Sequence, residues 1–254
     1  MLLLSLSLLL LSSASASSPP QNLQILIQDN TLKPSDVSDA SWIDDPCCPN
    51  GLNAVQWAAK LGSKAMPTLL RAGGSATLWH EATQTSPVHF ASREGSWQSL
   101  KELLESLDSE AAAGEIARGD EHGNNAAHLA ALTGQVSVLT LLRKVAGEGG
   151  AAFLTAVNGN GNTPLQIACF FNHPKFTERL LESAPVKLSL GALAPNGRSA
   201  LMLAASGNCA ACVELLLAAG ADKSEVGPDG VGPLEIAREK GNAEVVRLLE
   251  EQEL

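Results

Sequence analysis

Apolar and small residues recur along the chain in blocks that repeat at a nearly constant interval. With Asn53, Ser86, Asn125, Thr163, Ser199 and Gly232 as origins, the spacings are 33, 39, 38, 36 and 33 residues. Five residues after each origin stands an alanine: Ala58, Ala91, Ala130, Ala168, Ala204 and Ala237. Seventeen after stands a leucine: Leu70, Leu103, Leu142, Leu180, Leu216 and Leu249. Nine after, the residues are Gly62, Gly95, Gly134, Asn172, Asn208 and Gly241, the two types that enter the left-handed conformation at low cost. Two before each origin comes a glycine, replaced in the second block by Gln84. Four of these glycines complete Asn-Gly or Asp-Gly pairs, at 50–51, 160–161, 196–197 and 229–230, a strong hairpin signal.

Each block therefore predicts a hairpin turn, a short helix, a Gly or Asn stop, a second helix and a loop. Thr163, Ser86 and Ser199 are suited to cap a helix start, and Pro87, Pro164 and Pro233 occupy the first helical position, where no N–H is missed. The small alanine lets neighbouring first helices approach, and the leucine lets the second helix cover them.

On NGNTPLQIA at 160–168, NGRSALMLAA at 196–205, LLLAAGAD at 215–222 and SPVHFAS at 86–92, the chain resembles the ankyrin-repeat family. The resemblance implies an all-α solenoid of stacked helix-turn-helix pairs with β-hairpin tips. Six repeats begin near 50, 83, 122, 160, 196 and 229 and run to residue 254. The longer spacings place insertions in loops around 106–121, 144–158 and 183–195. Residues 17–49 are expected to form a linker and an N-terminal cap, with NLQILIQ at 22–28 covering the first repeat.

The ends and the charge narrow the picture further. An apolar run, Leu2 to Leu11, precedes Ala14-Ser15-Ala16, the small-x-small form that signal peptidase cuts after, so residues 1–16 read as a secretory signal. That reading places the protein in the ER lumen or outside the cell, with a cytoplasmic location as the alternative if the segment is retained. The apolar run is too short to cross a bilayer. Lys and Arg number 17 against 27 Asp and Glu, a formal charge of -10, which repels nucleic acid and anionic membranes. The expected partner is another protein, bound by a monomer that needs no cofactor.

No HExxH, GxSxG or phosphate-cradling glycine loop occurs, so the chain reads as a non-enzyme. His89 and His128 share the column three after the origin, where the family keeps a histidine bonded to neighbouring backbone. Cys209-Ala-Ala-Cys212 supports an alternative, a redox or metal-linked role. Against it, Cys212 falls in the apolar column of Met66, Val138, Phe176 and Val245, whereas Cys209 falls at the exposed start of a second helix. Cys169 fits a buried small-residue column, and Cys47-Cys48 lies outside the repeats. Five cysteines cannot all pair within one chain.

The resemblance also implies where a partner would sit. Positions seven and eight after the origin face the concave groove, and in the fourth repeat these are Phe170 and Phe171. Arg93, Leu132 and Arg198 flank them, and Trp79, before the second repeat, is expected as a further exposed aromatic.

Overall fold

The computed structural model describes residues 22–37 and 43–251; the expected signal over residues 1–16 lies outside them. Fifteen α-helices occur among the described residues. They form pairs in chain order: α2 (Ala54–Leu61) with α3 (Met66–Arg71), α4 (Pro87–Glu94) with α5 (Trp97–Glu105), and α7 (Ala126–Thr133) with α8 (Val136–Ala146). The series continues with α9 (Pro164–Phe170) and α10 (Pro174–Leu181), α12 (Ala200–Ser206) and α13 (Ala210–Ala218), and α14 (Pro233–Lys240) and α15 (Ala243–Glu251). Each first helix packs on the first helix of the next pair, and α1 (Leu23–Gln28) packs on α2.

Local chemistry sets where each helix begins. The side chains of Asn53, Asn125, Thr163 and Ser199 accept from the backbone N–H three residues on, at 2.8, 3.1, 3.3 and 3.4 Å, which satisfies a donor the helix itself leaves free. The stop residues all adopt the left-handed conformation, including the non-glycine Asn172 (φ 59°) and Asn208 (φ 54°). Gln84, alone without glycine in the turn column, is also left-handed at φ 48°. The position demands that geometry whatever residue stands there, and a side chain with a Cβ bears the strain.

The alanine column is fully buried in every repeat, and the residues thirteen after each origin, Met66, Ser99, Val138, Phe176, Cys212 and Val245, are buried beside it. The leucine column is buried from Leu103 to Leu249, but in the first repeat Leu69 takes the place expected of Leu70. The helix α3 begins thirteen residues after its origin, later than its counterparts, and the shift turns Leu69 inward.

Two expectations are corrected. The tips carry no strand among the described residues, only an isolated bridge between His80 and Thr85. The tips are instead tight turns, as where Asn158 N–H donates to Asn162 O at 3.0 Å and Gly161 N–H back to Asn158 O at 2.8 Å, or Ala194 N–H to Arg198 O at 3.0 Å and Gly197 N–H to Ala194 O at 2.7 Å. The arms are too short for a second rung. The insertions, expected as loops, contain helix: α6 (Ser109–Ala117), a 3-10 segment at Glu148–Leu154, and α11 (Ala184–Leu188). The carboxylate of Asp108 caps α6 by accepting from Ala111 N–H at 2.8 Å.

The repeats are fastened to one another through the column three after the origin. Gln56 Oε1 accepts from Asn53 N–H (3.0 Å) while its Nε2 donates to Leu78 O (3.0 Å). Gln166 Oε1 accepts from Thr163 N–H (2.8 Å), and its Nε2 donates to Ala192 O (2.8 Å) and Arg198 O (3.2 Å). His89 and His128 do the same with a ring: Nδ1 accepts from Ser86 or Asn125 N–H (3.1 and 3.2 Å), which leaves Nε2 protonated to donate to Arg118 O or Asn162 O, both at 3.0 Å. These are the structural histidines the family resemblance implies. In the fifth repeat the position holds Met202, buried and without a donor.

Burial holds both imidazoles neutral, His89 below the usual value and His128 down to about 4 from 6.5. The unfolded chain takes up a proton below pH 6.5 and the native His128 does not until near pH 4. Its contribution to stability is therefore complete above pH 6.5 and is lost as the pH falls from there toward 4, at about 1.4 kcal/mol per unit and about 3 kcal/mol in all. His128→Gln places there the residue that serves at positions 56 and 166. In urea titrations at pH 7 and pH 5 this variant is expected to stay folded and to lose that part of the pH dependence; an unchanged difference between the two pH values would refute the assignment.

Candidate functional site

The first helix of the fourth repeat ends on Phe170, and Phe171 is its cap residue. The turn that follows, with Asn172 left-handed and His173 N–H donating to Ala168 O at 2.9 Å, carries the chain away before either ring can fold under the helix. Cys169 points into the core, whereas Phe170 and Phe171 are 44% and 49% exposed. Their rings meet edge to face, with centroids 5.2 Å apart, a geometry that favours a pair over isolated rings.

A hollow of about 540 Å³ opens beside them, with Leu132, Ile167 and Leu203 as its other apolar lining. Its polar wall comes from the tips: Asn124, Asn158, Asn160 and Asn162. That wall is held in place, since Asn158 Nδ2 donates to Asn124 Oδ1 at 2.8 Å, while Asn158 Oδ1 accepts from the N–H groups of Asn160 and Asn162, both at 3.0 Å. On the other side of Phe170 lies a smaller hollow of about 280 Å³, bordered by Arg198, Met202, Ile236 and Lys240. Phe170 thus stands as a ridge between two depressions. Gly207 shapes this ridge, because a Cβ there would lie 2.1 Å from Phe170 O and 3.1 Å from Cys169 O. Only a residue without a side chain lets the helix ends of the fourth and fifth repeats close this far.

The remaining predicted residues are dispersed. Leu132 is half-buried and shares the hollow with both phenylalanines. Arg198 flanks Phe170 but is anchored to the next tip, with Nη2 2.9 Å from Asp229 Oδ2 and Nη1 donating to Val231 O at 3.4 Å. Arg93 is exposed, pairs with Glu94 at 3.5 Å, and lines neither hollow.

The expectation of an exposed Trp79 is corrected. Its ring is half-buried under the Arg118 guanidinium, 4.4 Å from the centroid, and Arg118 is paired with Glu115 at 2.6 Å. Trp79 borders a separate hollow near Gln56 and His80. Sequence reasoning missed Ile167 and Leu203, whose shared place four after the origin puts them beside the groove positions on the helix face. It also missed the asparagine wall and the exposed Trp97.

Cys209, expected at an exposed helix start, is fully buried and disulfide-bonded to Cys212. Its column reaches back to the preceding repeat: Ser63 Oγ donates to Ile27 O (2.6 Å), His173 Nε2 to Leu132 O (3.1 Å) and Asn242 Nδ2 to Ala205 O (2.6 Å). A position that looks terminal along the helix is thus an interface in the stack. With both sulfurs bonded and buried, the pair offers no accessible thiol, and the redox or metal-linked alternative loses its basis. No group of three or more potential metal-ligating side chains occurs among the described residues.

A further hollow, of about 750 Å³, lies between α8, α10 and α11. Its arginines are occupied, since Arg143 Nη1 (3.1 Å) and Arg179 both bond to Glu182, whose carboxyl they hold below the usual range.

The family profile described as ankyrin repeats matches residues 88–190, 148–225 and 185–253, together well over half of the chain. A curated relative, the tyrosine-protein kinase HTK16 of Hydra vulgaris, is 28% identical over 163 residues, which cover 64% of this chain and 20% of that protein. The chain therefore spans about a fifth of the length of the relative it matches.

Gly207→Ala is expected to lower stability by about 1–3 kcal/mol, the usual range for forced overpacking, because backbone rather than a flexible side chain meets the new methyl group. Thermal melts of the variant test this, and an unchanged midpoint would mean that the two helix ends separate freely.

Proposed function

The chain belongs to the ankyrin-repeat family, and we propose from that premise that it is a non-catalytic interaction module binding another protein through the groove beside Phe170 and Phe171. The observation that carries this reading is the pair of half-exposed rings next to an apolar hollow with a prearranged amide wall. Large rings bring much contact area at small entropy cost, and their neighbours exclude water once a partner is seated. An inserted apolar side chain would fill the hollow, and the partner's backbone would meet the amides of Asn160 and Asn162. The acidic net charge of -10 disfavours nucleic acid as that partner. The kinase activity in the relative's name is not carried over, because no phosphate-cradling glycine loop occurs in this sequence.

Partners captured by the wild-type chain from its own cells are to be compared with those captured by Phe170→Ser/Phe171→Ser and by Leu188→Ser. Leu188 is 90% exposed and lies outside the groove hollows, so it controls for general surface stickiness. The double variant is expected to keep its helical circular dichroism and to lose affinity about tenfold or more, with Leu188→Ser unaffected. Equal capture by all three proteins would exclude the groove as the binding site.

A further inference from the structure

Cys47 and Cys48 occupy the turn that leads into the first repeat. Their two N–H groups both donate to Leu52 O, at 3.1 and 2.9 Å, and Cys47 O accepts from Gln24 Nε2 of α1 at 3.0 Å. Two residues further on, Asn50 O is 3.0 Å from His80 Nε2. This turn is thus fastened to the cap, to the first repeat and to the second tip. The two sulfurs lie 3.0 Å apart, in hydrogen-bonding contact. They differ in access: Cys47 is half-buried and Cys48 is buried. An S–H of Cys48 directed at Cys47 favours the Cys47 thiolate and lowers its pKa, while the same bond and burial raise Cys48.

We propose that Cys47 and Cys48 are a modification site, a vicinal dithiol oxidised reversibly by low-molecular-weight disulfides, with Cys47 as the attacking sulfur and Cys48 as the resolving one. In the first step the Cys47 thiolate, its proton given to solvent, attacks one sulfur of the small disulfide. A Cys47–S–S–R bond forms and one thiolate leaves. In the second step Cys48 attacks Cys47 Sγ, the Cys47–S–R bond breaks, and the second thiolate departs with the Cys48 proton. The protein loses two electrons and two protons, and the small disulfide becomes two thiols. The separation of 3.0 Å leaves about 1 Å to close to a bonded pair. Adjacent Cα atoms lie about 3.8 Å apart, below the span ordinary disulfides take, so the ring is strained and reopens readily under excess thiol. The other three cysteines do not compete. Cys209 and Cys212 are bonded to each other, and Cys169 is fully buried with its thiol pushed up to about 12.

The test treats the full chain with dithiothreitol, removes the reductant, adds oxidised glutathione, and follows the peptide carrying residues 47 and 48 by mass spectrometry. In the wild type this peptide is expected to lose two hydrogens and to regain them with excess reduced glutathione. Cys48→Ser is expected to retain glutathione on Cys47, and Cys47→Ser to react at least ten times more slowly. A wild-type peptide that keeps two free thiols, or that accumulates bound glutathione without closing, would overturn the proposal, and this arm requires no variant to fold. Equal rates for the two serine variants would overturn the assignment of roles.

Discussion

The solenoid depends on a two-ended hydrogen bond. At the third position of the first helices, one side chain accepts from the N–H at its own helix start and donates to a carbonyl in the next repeat's tip, as Gln56, His89, His128 and Gln166 all do. Both backbone groups are ones that a lone repeat would leave without a partner. Helix initiation and stacking are thereby coupled in a single residue, and the buried alanines five after each origin supply the closeness that lets the bond reach. A repeat of this design gains much of its order from its neighbour.

The groove follows from that regularity. Because the first helices end within one residue of the same register, residues seven and eight after the origin form a row along one surface, and an exchange at one repeat alters the row without disturbing the stack. Phe170 and Phe171 are such an exchange, placed where Lys60 and Leu61 or Arg93 and Glu94 stand elsewhere. Exposing two rings has a cost in water, which their mutual edge-to-face contact partly offsets. Gly207 brings the neighbouring helix end against the Phe170 carbonyl, so the ridge is backed by close-packed main chain.

The columns could be read from the sequence because each requirement was written six times. Alanine at five, glycine or asparagine at nine and the buried position at thirteen all follow from contacts that recur in each repeat. Features that occur once were hidden. Trp79 looked exposed because its cover, Arg118, arrives from an insertion 39 residues later in the chain. Cys209 looked exposed because its column packs against the preceding repeat, and that contact is invisible along a single helix. The helix at Ser109–Ala117 went unread because it lies between repeats and no column includes it, although Asp108 is a good cap. Phe170 and Phe171 could be placed from register alone, whereas the asparagine wall beside them depends on bonds between tips.

Met202 breaks the series of two-ended bonds, and the last helix pair is attached by other means: Asn242 to Ala205 O, and Arg198 to Asp229 and Val231 O. Of these, the Arg198–Asp229 contact is partly exposed and contributes little. The junction between the fifth and sixth repeats thus lacks the two-ended bond that the four preceding junctions share, and rests on the packing of α12 against α14 and on these side-chain contacts. That same junction forms one flank of the Phe170 ridge, since Ile236 and Lys240 of α14 border the smaller hollow, so any loosening of the sixth repeat would reshape one side of the groove and leave the side against the fourth-repeat asparagines in place.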